Sequence, residues 1–182
     1  MMTTIDLALL IMRVVLGAIF IGHGSQKLFG WFGGSGMTGT AGMLQKLGAA
    51  HPTLLAWLNA LSEFFGGVFV LLGFLTPFAA ALLISVMLTA IVTVHFKNGF
   101  FNTKGGYEFN LSVIAMSLAL ILAGAGVASI DHVLGIARPF NLLPPWAMVL
   151  ILLIPFGGII STELSRSMKR GQTSDLGHKQ GV

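Results

Sequence analysis

Five long apolar stretches constrain the fold of this chain more than any other feature. Each has about 18–24 residues, against the roughly 20 that a helix needs to cross the hydrocarbon core of a bilayer. Because 55% of all residues are hydrophobic and only 9% are charged, we predict an all-α integral membrane helical bundle. The predicted spans are Ile5–Leu28, Leu54–Phe74, Phe78–Phe96, Phe109–Gly126 and Trp146–Glu163.

The spans divide the chain into a four-helix membrane bundle over residues 1–135, an additional C-terminal transmembrane helix over 136–165, and a basic, disordered cytoplasmic tail over 166–182. A four-span alternative, with Trp146–Glu163 lying on the membrane surface, remains open. Residues Gly30–Pro52 suit an interfacial helix, and Gly73–Phe78 a tight turn. Met1–Asp6 carries no basic residue, so the first stretch is interpreted as a span and not as a cleavable signal.

The basic residues predict the orientation. Ten Lys and Arg are present; Arg13 lies inside the first span, and with five spans only Arg138 of the other nine falls outside. By the positive-inside rule, the N-terminus is outside and the C-terminus is cytoplasmic. The basic charge then requires no nucleic-acid partner. The residues on the predicted cytoplasmic side are Lys27, Lys46, Lys97, Lys104, Arg166, Lys169, Arg170 and Lys179.

The chain contains no cysteine. This excludes thiol–disulfide exchange by the chain itself and any thiolate-bound metal, so redox chemistry would need a bound cofactor. No metal site is predicted. Residues Gly34–Gly39 satisfy the GxGxxG pattern, but they follow a membrane helix instead of a strand and therefore do not predict a dinucleotide site.

Polar side chains within membrane spans are costly unless they have a partner or a function. Lys27 follows His23 by four residues, so both lie on one face of the first span. Glu63 lies roughly 14 Å along the second span from its cytoplasmic end. In the predicted topology these groups share a depth with three others, and together they predict a polar pocket open to the cytoplasm. Its candidate residues are His23, Lys27, Glu63, His95, Asn98 and Glu108.

Each candidate also has a simpler interpretation. The Lys27 side chain is placed to snorkel to lipid headgroups. Glu108 is placed to interact with the positive end of a helix dipole, and Glu63 to form a buried structural ion pair. Arg13, a further candidate, lies too far outward along its span for a direct bridge to Glu63. The fifth span ends at Glu163, which could join the pocket or face water.

Two histidines raise a second cofactor hypothesis. His23 and His95 lie on different helices at similar depth, where they could ligate a haem. Because the pair alone supports haem ligation, we favour a structural role or hydrogen bonding within the pocket for both residues. Glu63 and His95 are then the candidates for catalytic proton exchange.

Several motifs in order resemble the DoxX family of small prokaryotic membrane proteins, over about Ile11 to Gly135. The segment beyond Gly135 lies outside this resemblance. The stretch "GAGVASID" departs mildly from the family, whose members are usually richer in proline and aromatic residues where the matching region ends. The matching stretches are "RVVLGAIFIGHGSQKLFGWFGGSG" (Arg13–Gly36), "EFFGGVFVLLGFLTPFAAALL" (Glu63–Leu83), "MLTAIVTVHFKNGFF" (Met87–Phe101), "GGYEFNL" (Gly105–Leu111) and "LALILAGAGVASIDHVLG" (Leu118–Gly135).

The resemblance implies a four-helix membrane bundle. Family members often carry an oxidoreductase label, and some are associated with quinone-linked sulfur oxidation or with oxidative-stress and thiol-related membrane complexes. The family supplies no agreed catalytic set, so no residue role is carried over.

Two interpretations of function remain. The first is an inner-membrane protein that binds a lipophilic, quinone-like redox partner in or beside an oxidoreductase complex, with His23 and Lys27 hydrogen-bonding the ligand. The second is a non-enzymatic membrane scaffold, in which the same polar groups lock helices together. A small-solute transporter is a third and weaker interpretation, because no repeat pair or broken helices are evident.

The orientation can be tested by single cysteines introduced into this cysteine-free chain at Thr3 and Ser174. A membrane-impermeant thiol reagent should label them from opposite sides of the membrane, because five spans separate them. Labelling of both from one side would indicate four spans and contradict the predicted orientation.

Overall fold

Helices dominate residues 1–136, the part of the chain that the computed structural model describes. The predicted fifth span and the basic tail lie outside these residues. The helices are α1 (Thr4–Phe29), α2 (Gly36–Lys46), α3 (Pro52–Leu72), α4 (Thr76–Ala90), α5 (Glu108–Ala123) and α6 (Ile130–Val133).

Three of these helices are long and apolar enough to cross a membrane: α1, α3, and α4 with its continuation to Asn98. The fourth apolar helix, α5, has 16 residues. The core between them includes Leu16, Phe20, Val70 and Leu83. The all-α membrane class predicted from the sequence is therefore confirmed.

Two helices depart from the predicted spans near their C-terminal ends. The regular part of α4 ends at Ala90 and continues as a π turn over Ile91–His95 and a 3-10 turn over Phe96–Asn98. The β-branched run Ile91–Val94 disfavours regular helix. The hydroxyl of Thr93 also bonds the Thr89 carbonyl one turn back, which bends helices. Helix α5 ends at Ala123, three residues early, because Gly124 adopts a positive φ of 82°.

Neighbouring helices run in opposite directions. Near the end of α1, Gly24 lies against Phe64 of α3, whereas Gly17, earlier in α1, lies against Leu71. The C-terminal ends of α1 and α4 and the N-terminal ends of α3 and α5 therefore share one end of the bundle. We call it the Lys27 end, and the opposite end the Arg13 end.

Glycines allow α1 and α3 to approach very closely. A Cβ atom built on Gly24 would lie 2.6 Å from the backbone nitrogen of Phe64, and one on Gly67 would lie 2.8 Å from that of Ile21. Both distances are too short for real contacts, so only glycine fits. Small residues serve this purpose in membrane helix pairs because packing contacts hold the helices together.

The structure predicts opposite effects for two alanine substitutions in α1. Gly24→Ala should destabilise the fold by about 1–3 kcal/mol because the new methyl group overlaps the α3 backbone. Gly22 is the matched control, since a Cβ there meets nothing within 4 Å. Gly22→Ala should be neutral or stabilising. Unfolding in mild detergent, followed by circular dichroism, measures both, and equal stability of the two variants would contradict this packing.

Candidate functional site

An ion pair between α1 and α3 forms the centre of the candidate site. The Nζ atom of Lys27 lies 2.6 Å from Oε1 of Glu63 and donates a second hydrogen bond, 2.5 Å long, to Oδ1 of Asn59. Asn59 and Glu63 are four residues apart and so lie on one face of α3. The Lys27 side chain thus contacts two polar groups of the neighbouring helix.

The two charged partners differ in burial. The side chain of Glu63 is 5% exposed and that of Lys27 is 25% exposed. One carboxylate oxygen, Oε2 of Glu63, is buried and has no hydrogen-bond partner among residues 1–136. A buried, charged acceptor without a donor is costly. The site can therefore accept a hydrogen bond from one more donor, at Oε2 of Glu63.

The local sequence explains why the pair forms. The "HGSQK" segment places Gly24 one turn before Lys27, and Gly24 lets α1 approach Phe64, the residue after Glu63. Side chains on a helix lean toward its N-terminus, so Lys27 leans into the bundle. The closeness of the two backbones lets the lysine side chain reach α3 instead of extending to the surface.

His23, one turn before Lys27, is exposed on the outside of the bundle. Its ring centroid lies 6.4 Å from that of Phe109 in α5. The histidine and the phenylalanine thus mark a partly polar, aromatic patch at the Lys27 end, beside the ion pair. Within residues 1–136 no hydrogen bond joins His23 to Lys27 or Glu63.

Three other predicted residues hold the loop between α4 and α5. The carbonyl of Gly105 is bonded by Nδ1 of His95 at 2.6 Å and by the side-chain amide of Asn98 at 3.1 Å. Oε1 of Glu108 accepts a 2.8 Å hydrogen bond from the backbone nitrogen of Asn102. These residues order the loop at the Lys27 end. That they share one pocket with Lys27 and Glu63 stays a prediction.

Arg13 lies at the opposite end, where its guanidinium fastens a distant segment. It is 1% exposed, and its Nη2 atom donates to the carbonyl oxygen of Ala128. The guanidinium also presses against Gly73, where an added Cβ would overlap it. Glu63 pairs with Lys27 and not with Arg13, as the depths along the two helices led us to expect.

Two aspartates complete the Arg13 end. Asp131 accepts hydrogen bonds from the backbone nitrogens of Leu75 and Thr76, at 2.7 and 2.9 Å. Asp6 accepts one from the backbone nitrogen of Val127 at 3.0 Å. Both carboxylates border a cavity of about 210 Å³. These contacts tie residues 126–131 to α1 and to the start of α4.

The sequence analysis missed Asn59, Asp6 and Asp131. Asn59 carried a usable signal, because it precedes Glu63 by four residues on the same helix. Asp6 carried a local signal for its bond to Thr3, three residues away, but none for Val127, 121 residues away. Asp131 carried none, since its backbone partners are 55 and 56 residues away along the chain. Gly34–Gly39 leads from α1 into α2, and the element before it is a helix and not a strand.

Comparison with known proteins places the chain in a family. A family profile described as DoxX matches residues 8–96. The chain is 31% identical over 126 residues to "Putative oxidoreductase CatD" of Bacillus subtilis, covering 69% of this chain and 86% of that protein. It is 30% identical over 131 residues to "Inner membrane protein YqjF" of Escherichia coli, covering 71% and 93%. No solved structure matches it. The chain therefore belongs to the DoxX family of membrane proteins.

Proposed function

We propose that this DoxX protein binds a quinone-like redox partner at the Lys27–Glu63 pair and serves in or beside an oxidoreductase complex of the prokaryotic cytoplasmic membrane. The observation that carries the proposal is the buried Oε2 atom of Glu63, which lacks a partner among residues 1–136. A buried polar group left unsatisfied calls for an explanation, and a redox or catalytic role is one that fits this position. The oxidoreductase name of the Bacillus subtilis relative supports the reaction class.

The residues present fit a quinone-like ring. Lys27 offers a charged hydrogen-bond donor to a ring oxygen, and His23 offers an imidazole on the outside of the bundle, where a lipophilic molecule would arrive from the bilayer. Phe109 beside His23 provides an aromatic surface for the ring. A quinone would supply two-electron redox chemistry, which this cysteine-free chain requires from a cofactor.

The remaining polar groups suit proton exchange. Glu63 has a free carboxylate oxygen that can accept a proton. His95 uses Nδ1 on the Gly105 carbonyl, which leaves Nε2 available at the same end of the bundle. We propose that this end faces the cytoplasm, with the N-terminus outside, because most basic residues lie on that side of a five-span chain.

A non-enzymatic scaffold is the second candidate function. It is favoured by the long sequence separation of the polar contacts. Lys27 bonds to residues 32 and 36 positions away, and Arg13 bonds to one 115 positions away. Such contacts lock helices together whether or not a ligand binds. In this case the unpartnered oxygen of Glu63 would have no role.

Substitutions at the ion pair separate the two functions. Lys27→Met should destabilise the fold by about 3–5 kcal/mol, because it leaves the Glu63 charge buried without a partner. Glu63→Gln should stay folded, because Lys27 is 25% exposed and keeps its bond to Asn59. It should nevertheless lose the co-purifying quinone. Detergent unfolding and mass spectrometry of solvent extracts measure stability and bound quinone.

Lys46→Met is the matched control, since Lys46 is an exposed lysine at the C-terminus of α2. It should retain wild-type stability and wild-type bound quinone. The scaffold function would instead be supported if Glu63→Gln unfolds readily and Lys27→Met/Glu63→Gln recovers stability. Wild-type amounts of bound quinone in Glu63→Gln would contradict the proposed site.

A further inference from the structure

The Lys27–Glu63 pair has both a hydrogen-bond donor and a hydrogen-bond acceptor without a partner among residues 1–136. A lysine ammonium has three donors, and Lys27 uses one on Asn59 and one on Glu63. Within residues 1–136 one donor therefore remains without a partner. On the carboxylate, Oε1 is engaged and Oε2 has no partner within residues 1–136. The pair thus presents one free donor beside one free acceptor.

A hydroxyl group can bond to both the free donor and the free acceptor, whereas a carbonyl can bond only to the donor. A hydroxyl oxygen accepts from Lys27 while its own proton is donated to Oε2 of Glu63. A quinone carbonyl can accept from Lys27, but it leaves the buried carboxylate oxygen unsatisfied, and such a group carries its full desolvation penalty. Hydrogen bonds to an ionised acceptor are also about twice as strong as neutral ones.

The geometry permits a ligand hydroxyl to reach this acceptor. The Lys27 side chain is 25% exposed, so the pair reaches the surface of the bundle through the lysine. The terminal torsion of a glutamate is broad, so a modest rotation can bring Oε2 toward that opening while Oε1 stays within reach of Lys27. His23, four residues before Lys27, lies on the same face of α1.

Because a donor and an acceptor lie unpartnered side by side, we infer that the site binds the reduced, hydroxyl-bearing form of the ring, a quinol, more tightly than the oxidised quinone. The inference rests on the proposed function and names the form of the ligand that the site prefers. One charge-assisted hydrogen bond gained corresponds to about tenfold or more in affinity. A tenfold preference would raise the reduction potential of the bound two-electron couple by about 30 mV.

The test compares three probes on the full-length wild-type protein in lipid nanodiscs. They are decylubiquinol, decylubiquinone and the dimethyl ether of decylubiquinol, which keeps the ring but has no hydroxyl donor. Anaerobic equilibrium dialysis against empty nanodiscs corrects for partition into lipid. Decylubiquinol should bind at least about tenfold more tightly than either of the others.

Glu63→Gln provides the second arm, because its side-chain amide offers both a donor and an acceptor in place of the acceptor-only carboxylate. Decylubiquinol should bind this variant at least about tenfold more weakly than it binds the wild type, so that its preference over decylubiquinone falls to less than about threefold, and Lys46→Met should keep the wild-type affinity and preference.

Equal or tighter binding of decylubiquinone by the wild type would overturn the inference and leave the proposed function intact. If none of the probes binds above empty nanodiscs, the proposed function and the inference both fail. Because the wild-type comparison needs no substitution, it decides the matter even if Glu63→Gln does not fold.

Discussion

The close contact between α1 and α3 is the constraint on which the rest of the structure depends. Gly17, Gly24 and Gly67 bring the two backbones so near that a Cβ at any of these positions would overlap the other helix. The short separation lets Lys27 reach Asn59 and Glu63. With bulkier residues at these positions, the lysine would extend to the membrane surface and leave Glu63 without its counter-charge.

The two ends of the bundle use polar residues differently. At the Arg13 end, both oxygens of Asp131 accept backbone hydrogen bonds, and both oxygens of Asp6 are engaged by Val127 and Thr3. These carboxylates fasten the segment after α5 to the bundle. At the Lys27 end, one oxygen of Glu63 has no partner in the described part of the chain, residues 1–136. The Nε and Nη1 donors of Arg13 also lack partners within residues 1–136, so the proposed ligand site is distinguished by a buried, unpartnered acceptor and not by incomplete hydrogen bonding alone.

Much of the fold could be predicted because apolar length determines where helices cross a bilayer. The predicted Ile5–Leu28 lies within one residue of α1 at both ends. The π turn at the end of α4 escaped prediction, because it depends on local strain within an evenly apolar stretch. The depth of Lys27 and Glu63 followed from helical rise. Their rotation about each helix axis did not, since it depends on which glycines face the neighbouring helix.

The central claim is that Glu63 at the α1–α3 contact pairs with Lys27 through one oxygen and offers the other as an unsatisfied acceptor to a ligand hydroxyl. Infrared difference spectroscopy tests it most directly, by comparing wild type with Glu63→Gln at neutral pH before and after addition of decylubiquinol. We expect a side-chain carboxyl band that is lost in the variant and that shifts when decylubiquinol binds to the wild type. A Glu63 band that decylubiquinol leaves unchanged would contradict it.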